Sequence, residues 1–241
     1  MYMTNERTYK QGYSVFGSDG KMNELEYAKK SVDNSEPSIG IQTRNSIVLF
    51  SKKSSTESSL IVNDSIDKIH KIDDRLSVSV SGHVTDGRIL AEKLREHYLD
   101  EKAEYGEVSD ILTLVYDICE NIQETIQSTE LRPYGVSLLV GGINYDNEPK
   151  LYKIDSAGSP SEWKGIAIGK NSNEMIKYIE NNYEDYIKTD EAIDLILNAY
   201  KHVTRNKISE NNIEIVVISN ENGYNKKNKD ELKKLLTGDK Q

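Results

Sequence analysis

Apolar residues recur along the chain at two spacings, and stretches of one spacing alternate with stretches of the other. Residues 1–20 are polar and irregular, with a turn expected at Gly17-Ser18-Asp19-Gly20. Met22, Leu25, Ala28 and Val32 follow at helical spacing, which predicts a short amphipathic helix over 21–33. After a break from Asp33 to Pro37 the period changes. Ile47 to Phe50 is apolar throughout, as a buried strand is. Leu76-Ser77-Val78-Ser79-Val80-Ser81 alternates strictly, the pattern of a half-buried strand. Ile39 to Ile41 and Ile69 to Ile72 are further strand candidates.

Helical spacing then returns twice. One helix is expected from Asp86 to Asp100, with Leu90, Leu94 and Tyr98 on one face. The next carries Val108, Ile111, Leu112, Val115, Ile118, Cys119, Ile122 and Ile126, with Ser109 as its expected cap. Strands are predicted at Val136–Val140, Leu151–Ile154 and Ile166–Ile168. A second helix pair follows: one member holds Met175, Ile176, Ile179 and Tyr183, and the other holds Ile193, Ile196, Ala199, Tyr200 and Val203 behind a cap at Thr189. Ile213 to Ile218 is β-branched, Asn222-Gly223 is a hairpin turn signal, and a last helix is expected from Asp230 to Leu236. Single crossover helices would mark a parallel, doubly wound sheet. Paired helices between strand blocks instead predict an α/β (α+β) fold of two stacked antiparallel sheets, each covered by a helix pair. No Gly/Ser/Pro linker divides the chain, so one domain is expected over 1–241, with a flexible tail at 237–241.

The composition, 36% apolar and 29% charged over 241 residues, supports a packed core. The net charge of -9 disfavours nucleic-acid binding. A single cysteine excludes an internal disulfide and a Cys-rich metal cluster. No apolar run approaches the roughly 18–20 residues of a membrane span, and the first residues lack the apolar core of a signal peptide.

Most catalytic patterns are missing. His70, His83, His97 and His202 form no i, i+4 pair, and no Gly-x-Ser-x-Gly exists. Gly165-Ile166-Ala167-Ile168-Gly169-Lys170-Asn171 superficially resembles a phosphate loop, but it is one residue short and has Asn171 where Ser or Thr would hold magnesium. It reads as a strand-to-helix turn. Cys119 lies on an apolar helix face, where a thiol is inert. Asp64, Asp67, Asp73 and Asp74 lack the spacing of a calcium loop and read as solvated turn acids. Neither a metal nor a cofactor site is expected.

A family resemblance carries the reading further. Tyr9 to Lys21, running into Leu25-Glu26-Tyr27-Ala28, resembles the opening signature of 20S proteasome alpha subunits. Ser65 to Ile69, Ser81-Gly82, Arg132 to Leu139, Gly141 to Ile143, Asp155 to Gly158 and Ala167 to Gly169 continue it in order. Within the family the chain is most similar to eukaryotic type 5 (zeta) subunits, on Met1-Tyr2-Met3-Thr4, Ile39 to Thr43 and Asn211 to Glu214. The resemblance implies a four-layer αββα sandwich of the N-terminal-nucleophile hydrolase type. It implies a ring subunit that assembles with neighbouring alpha subunits and the beta ring, gates the entry of unfolded protein and serves ubiquitin-dependent degradation in cytoplasm and nucleus.

It also assigns residues. Residues 1–20 become a gate segment, with Tyr9, Lys10 and Gln11 in place of the family's Tyr-Asp-Arg, and Gly17-Ser18 in place of a Ser-Pro turn. Met22, Leu25, Glu26 and Tyr27 fall on the ring interface, because the helix's apolar stripe is too narrow to be buried within one domain. Lys68 matches the pocket lysine that receives the terminal carboxylate of activator tails, such as those of regulatory ATPases. A surface lysine lying along the protein is the plainer reading of Lys68.

Catalytic subunits of this fold use an N-terminal threonine whose own amine is the base. Glu36 stands at that threonine's position, Lys52 at the acidic partner's, and only the lysine, Lys68, is retained. The expectation is a non-catalytic scaffold and gate. The alternatives are a beta-like threonine peptidase with a relocated nucleophile, revealed by cleavage near Ser35, and a standalone binding module.

Overall fold

The computed structural model of the chain describes residues 16–17, 20–54, 60, 67–106, 110–128, 130–204 and 208–237. Its elements run α1 (Asn23–Asp33), β1 (Ser38–Gln42), β2 (Ser46–Lys52), β3 (Ile69–Asp73), β4 (Leu76–Gly82), α2 (Val84–Tyr105) and α3 (Ile111–Gln127), then β5 (Val136–Ile143), β6 (Pro149–Ile154), β7 (Pro160–Glu162), β8 (Gly165–Ile168), α4 (Ser172–Asn182), α5 (Thr189–Thr204), β9 (Ile213–Ser219), β10 (Gly223–Lys226) and α6 (Lys229–Thr237). One sheet has the order β10-β9-β2-β1-β8 and the other β3-β4-β5-β6-β7. Every pairing is antiparallel.

Three apolar layers make the stack. Val78, Val80, Leu138 and Val140 pack under Leu90, Leu94, Leu114, Ile118 and Ile122 of α2 and α3. Val48, Phe50, Ile215 and Val217 pack on Met175, Ile193, Ile196 and Tyr200 of α4 and α5. Between the sheets, Ile47 and Leu49 meet Leu139, Leu151 and Val216. β2 therefore divides its side chains by parity between two cores, and every residue in it is buried. Each such aliphatic side chain contributes roughly 1.5–3 kcal/mol relative to exposure. The helix-covered, stacked-sheet arrangement expected from the sequence is the one observed.

Several local expectations change. The serines of β4 do not face solvent: Ser77, Ser79 and Ser81 are fully buried against the other sheet. Ser79 and Ser81 are tolerated there because their hydroxyls find partners across the interface, whereas the Ser77 hydroxyl is buried without one. Ser38 of β1 and Ser51 of β2 are 2.7 Å apart, and Ser51 lies 2.6 Å from Ser79. α2 runs five residues beyond the expected Asp100, to Tyr105, and ends at Gly106 in a left-handed conformation. The cap of α3 is Asp110, whose carboxylate accepts from the Leu112 N–H at 2.9 Å; Ser109 lies outside the described residues. Thr189 is the first residue of α5 itself, and its hydroxyl bonds Ser46 Oγ at 2.8 Å. The strand β7 has no apolar alternation and escaped the pattern, whereas the Asn222-Gly223 turn does join β9 to β10.

Helix α1 lies across β4 and β5. Ala28 and Val32 are buried, and Met22 and Leu25 are half-buried against the α2–α3 core. The expectation of a stripe too narrow to be buried within the domain is thus corrected: most of it packs within the chain. Tyr27 is the apolar residue left outside, 62% exposed.

Candidate functional site

Glu36, Lys52 and Lys68, the three positions that the resemblance sets against a threonine peptidase's reactive groups, come together at one end of the sandwich. Pro37 leads into β1, and its carbonyl accepts from the Lys52 N–H at 3.0 Å at the end of β2. Lys68 directly precedes β3, and its carbonyl accepts from the Val80 N–H at 3.0 Å on β4. Its side chain turns inward, so that Nζ donates to the Glu36 carbonyl at 2.6 Å. Ser81 Oγ donates to that same carbonyl at 3.0 Å. Lys68 is only 4% exposed, which corrects the reading of it as a surface lysine.

Burial pushes the Lys68 ammonium down to about 8, against the raising influence of Glu36 and Glu214. Burial also lowers Lys52, with Glu36 opposing. Lys52 is 3% exposed, and its Nζ is held by the Lys53 carbonyl at 2.8 Å.

Behind Lys68 stands Glu214 of β9, itself buried. Its Oε2 accepts from the Lys68 N–H at 2.8 Å and from the Ile69 N–H at 3.3 Å. Its Oε1 pairs with Lys226 at 2.7 Å and with Lys53 at 3.3 Å. Lys226 also meets Asp67 at 2.7 Å. Burial and the neighbouring Asp67 push Glu214 up. Burial opposes ionisation of Asp67 too, but bonds to Glu214 and Lys226 outweigh it and hold Asp67 down at about 2. A cleft of about 550 Å3 opens beside this cluster, lined by Lys53, Glu214, Lys226, Lys227 and Lys229 among others.

Chemically, this end lacks a peptidase's parts. Glu36 occupies the nucleophile's position with a carboxylate, and its nitrogen is an amide within a chain that continues into α1. The hydroxyls nearby are engaged with each other and with backbone carbonyls. What remains is a desolvated lysine amine, suited to meeting a carboxylate. Among the described residues no group of His, Cys, Asp or Glu is placed to hold a metal ion. Asp67, Asp73 and Asp74 are each tied to a partner: Lys226, the Tyr98 hydroxyl and Lys71 respectively. Cys119 is buried, and its thiol is pushed up to about 12 by burial and Asp155, as its place on an apolar face implied.

Of the remaining candidates, Tyr9, Lys10 and Gln11 lie outside the described residues. Glu26 pairs with Lys29 at 3.4 Å, and the ammonium of Lys30 sits 5.7 Å from the centre of the Tyr27 ring. Sequence reasoning missed Asp86, in the first turn of α2. It grips Arg132 through two bonds of 2.6 and 2.7 Å and accepts from the Gly135 N–H at 2.9 Å. Burial opposes its ionisation, yet these donors hold it below the usual carboxylate range. Only its acidity in a helix's first turn could have signalled it. Beside this clamp Gly82 has φ of +123°, and a Cβ there would lie 2.1 Å from the Gly135 carbonyl oxygen.

A family profile described as proteasome subunit matches residues 32–218. The chain is 38% identical to the Proteasome subunit alpha of Haloquadratum walsbyi over 192 residues, 80% of this chain and 76% of that protein. It is 32% identical to the Proteasome subunit alpha of Natronomonas pharaonis over 235 residues, 97% and 91% of the two chains. Against Proteasome subunit alpha 2 of Haloferax volcanii the identity is 34% over 224 residues, 93% and 88%. A family profile over most of the chain, and coverage of three quarters or more on both sides of each relative, on a double antiparallel sandwich, leave one conclusion: the chain belongs to the proteasome alpha-subunit family.

Proposed function

We propose that this chain is a non-catalytic alpha subunit of a 20S core, acting as ring scaffold, entry gate and docking platform. The observation that supports this most directly is the Glu36–Lys52–Lys68 constellation, in which the peptidase geometry persists without nucleophile or free amine. The same observation disfavours the beta-like reading. Neighbouring alpha subunits, the beta ring and unfolded chains in transit are the partners this role requires.

Lys68 is the proposed seat for the terminal carboxylate of a regulatory ATPase or other activator tail. An ammonium can meet a carboxylate from many angles, and such a charge-assisted bond contributes roughly 1.5–3 kcal/mol. Met22, Leu25, Glu26 and Tyr27 are proposed for the ring contact, with exposed Tyr27 its centre. Residues 1–20 are the proposed gate, with Tyr9, Lys10 and Gln11 as its motif. The finer assignment to a eukaryotic type 5 subunit rests on the three short segments quoted above, whereas the relatives named are haloarchaeal. Ubiquitin-dependent substrates and a nuclear share follow only if that assignment holds.

The test is reconstitution. Particles carrying this chain should form closed rings and process peptides only when supplied with catalytic beta subunits. Deleting residues 1–12 should raise basal peptide hydrolysis. Peptide hydrolysis by the chain alone, or cleavage near Ser35, would overturn the scaffold reading.

A further inference from the structure

Lys68 does not reach its place alone. Lys68 stands just before β3 in one sheet, and a single side chain of β9, in the other sheet, secures its backbone. Glu214 Oε2 accepts from two consecutive backbone N–H groups, those of Lys68 and Ile69, so the carboxylate fixes the point from which the lysine side chain springs. Glu214 Oε1 faces the other way, to Lys226 and Lys53. The residue is 2% exposed and 146 positions distant in sequence. A buried carboxylate costs stability unless fully bonded, and hydrocarbon would serve packing as well. Its presence there calls for a second reason.

We propose that Glu214 is the positioning residue for Lys68, setting both the place and the charge of the ammonium that receives a carboxylate. This rests on the reading of Lys68 as the carboxylate seat. The groups facing Lys68 are Glu36 from the segment before β1, Lys52 of β2 and Glu214 of β9. Glu36 and Glu214 hold the proton on Lys68, while Lys52 and burial drive it off. Lys226 and Lys53 lie on the far side of Glu214 and meet its Oε1, and Asp67 bonds it as well. Lys226, on the edge strand β10, favours the ionised form of Glu214 against burial and Asp67. A half-exposed lysine that never touches Lys68 thus influences the seat through one buried carboxylate.

The experiment uses the assembled particle and a peptide copying the last eight residues of an activator, as free acid and as amide. Affinity is measured from pH 6.5 to 9.5. The unmodified particle should favour the free acid and lose that preference as pH rises through about 8. Glu214→Gln should bind the free acid roughly 5- to 20-fold more weakly at pH 7.5, with its alkaline midpoint moved to lower pH. Lys226→Met should shift the midpoint the same way by less, and should add nothing on top of Glu214→Gln. Unchanged affinity and midpoint in Glu214→Gln would overturn the proposal, as would full additivity of the two substitutions. If Glu214→Gln prevents assembly, the midpoint of Lys226→Met alone decides: an unmoved midpoint defeats the proposal. Lys68→Met separates the two ideas. It should bind acid and amide alike, and if it keeps the preference for the acid, the Lys68 seat itself is wrong, whatever the Glu214 variants do.

Discussion

Replacing Lys68 with methionine should stabilise the fold while removing the ammonium proposed as the carboxylate seat. The native amine falls from the usual 10.5 to about 8 on burial. At pH 7 both folded and unfolded chains carry the charge, and the folded chain bears the whole cost of burying it, about 3 kcal/mol. That cost is constant below pH 8 and shrinks to nothing as pH rises from about 8 to 10.5, because the folded amine becomes neutral first. Methionine fills a similar volume without the charge. It forfeits the charge-assisted bond to the Glu36 carbonyl, worth roughly 1.5–3 kcal/mol, though Ser81 still donates to that oxygen at 3.0 Å. Lys68→Met should therefore gain up to about 1.5 kcal/mol at pH 7, or up to roughly 6 °C in Tm for a chain of this size. Urea unfolding of both proteins at pH 7, 8, 9 and 10 measures it. The gain should decline with each step above pH 8. A variant less stable than the native chain at pH 7, or a gain indifferent to pH, would show that the ammonium is not held at a cost.

Three further outcomes follow from the geometry. Asp86→Ala leaves the Gly135 N–H and Arg132 without their acceptor, and should cost about 2–4 kcal/mol in urea unfolding, with most of the loss persisting in Asp86→Asn, which keeps shape but not charge. Gly82→Ala combines a left-handed backbone with a 2.1 Å approach to a carbonyl oxygen, so soluble expression should fall sharply, whereas Gly106→Ala, with the same backbone hand and open space, should cost only about 1 kcal/mol. Tyr27→Asp should leave unfolding of the isolated chain within about 0.5 kcal/mol while lowering ring yield, and normal rings would remove Tyr27 from the interface.

Periodicity carried the fold because the long elements here each have at least one apolar face that must be covered. α3 and α5 show this plainly: their buried residues repeat at helical spacing, and both helices appear where that spacing predicts. The β4 serines misled because alternation separates apolar from polar, not inside from outside. β7 was invisible, since a three-residue edge strand of Pro, Ser and Glu has no face to bury. Lys68 was legible through motif order alone, and its burial was not, because the groups enclosing it come from Glu36, Ser81 and Glu214, far apart in sequence. The Asp86–Arg132 clamp spans 46 positions and leaves no local trace.

The buried serines also have a sense of direction. Ser38 Oγ donates its one proton to the Val80 carbonyl at 3.1 Å, so it can only accept from Ser51. Ser51 has then spent its proton and must accept from Ser79. The row is a one-way relay of donors running from sheet to sheet and back, ending on the backbone beside Ser81. Its links are therefore unequal. Removing the Ser79 hydroxyl only deprives Ser51 of a donor, whereas removing that of Ser38 strands the proton of Ser51 and exposes the Val80 carbonyl at once. The interior between the sheets is thus polarised along a fixed axis, and a serine-to-alanine scan along it should read as a gradient rather than as equal steps.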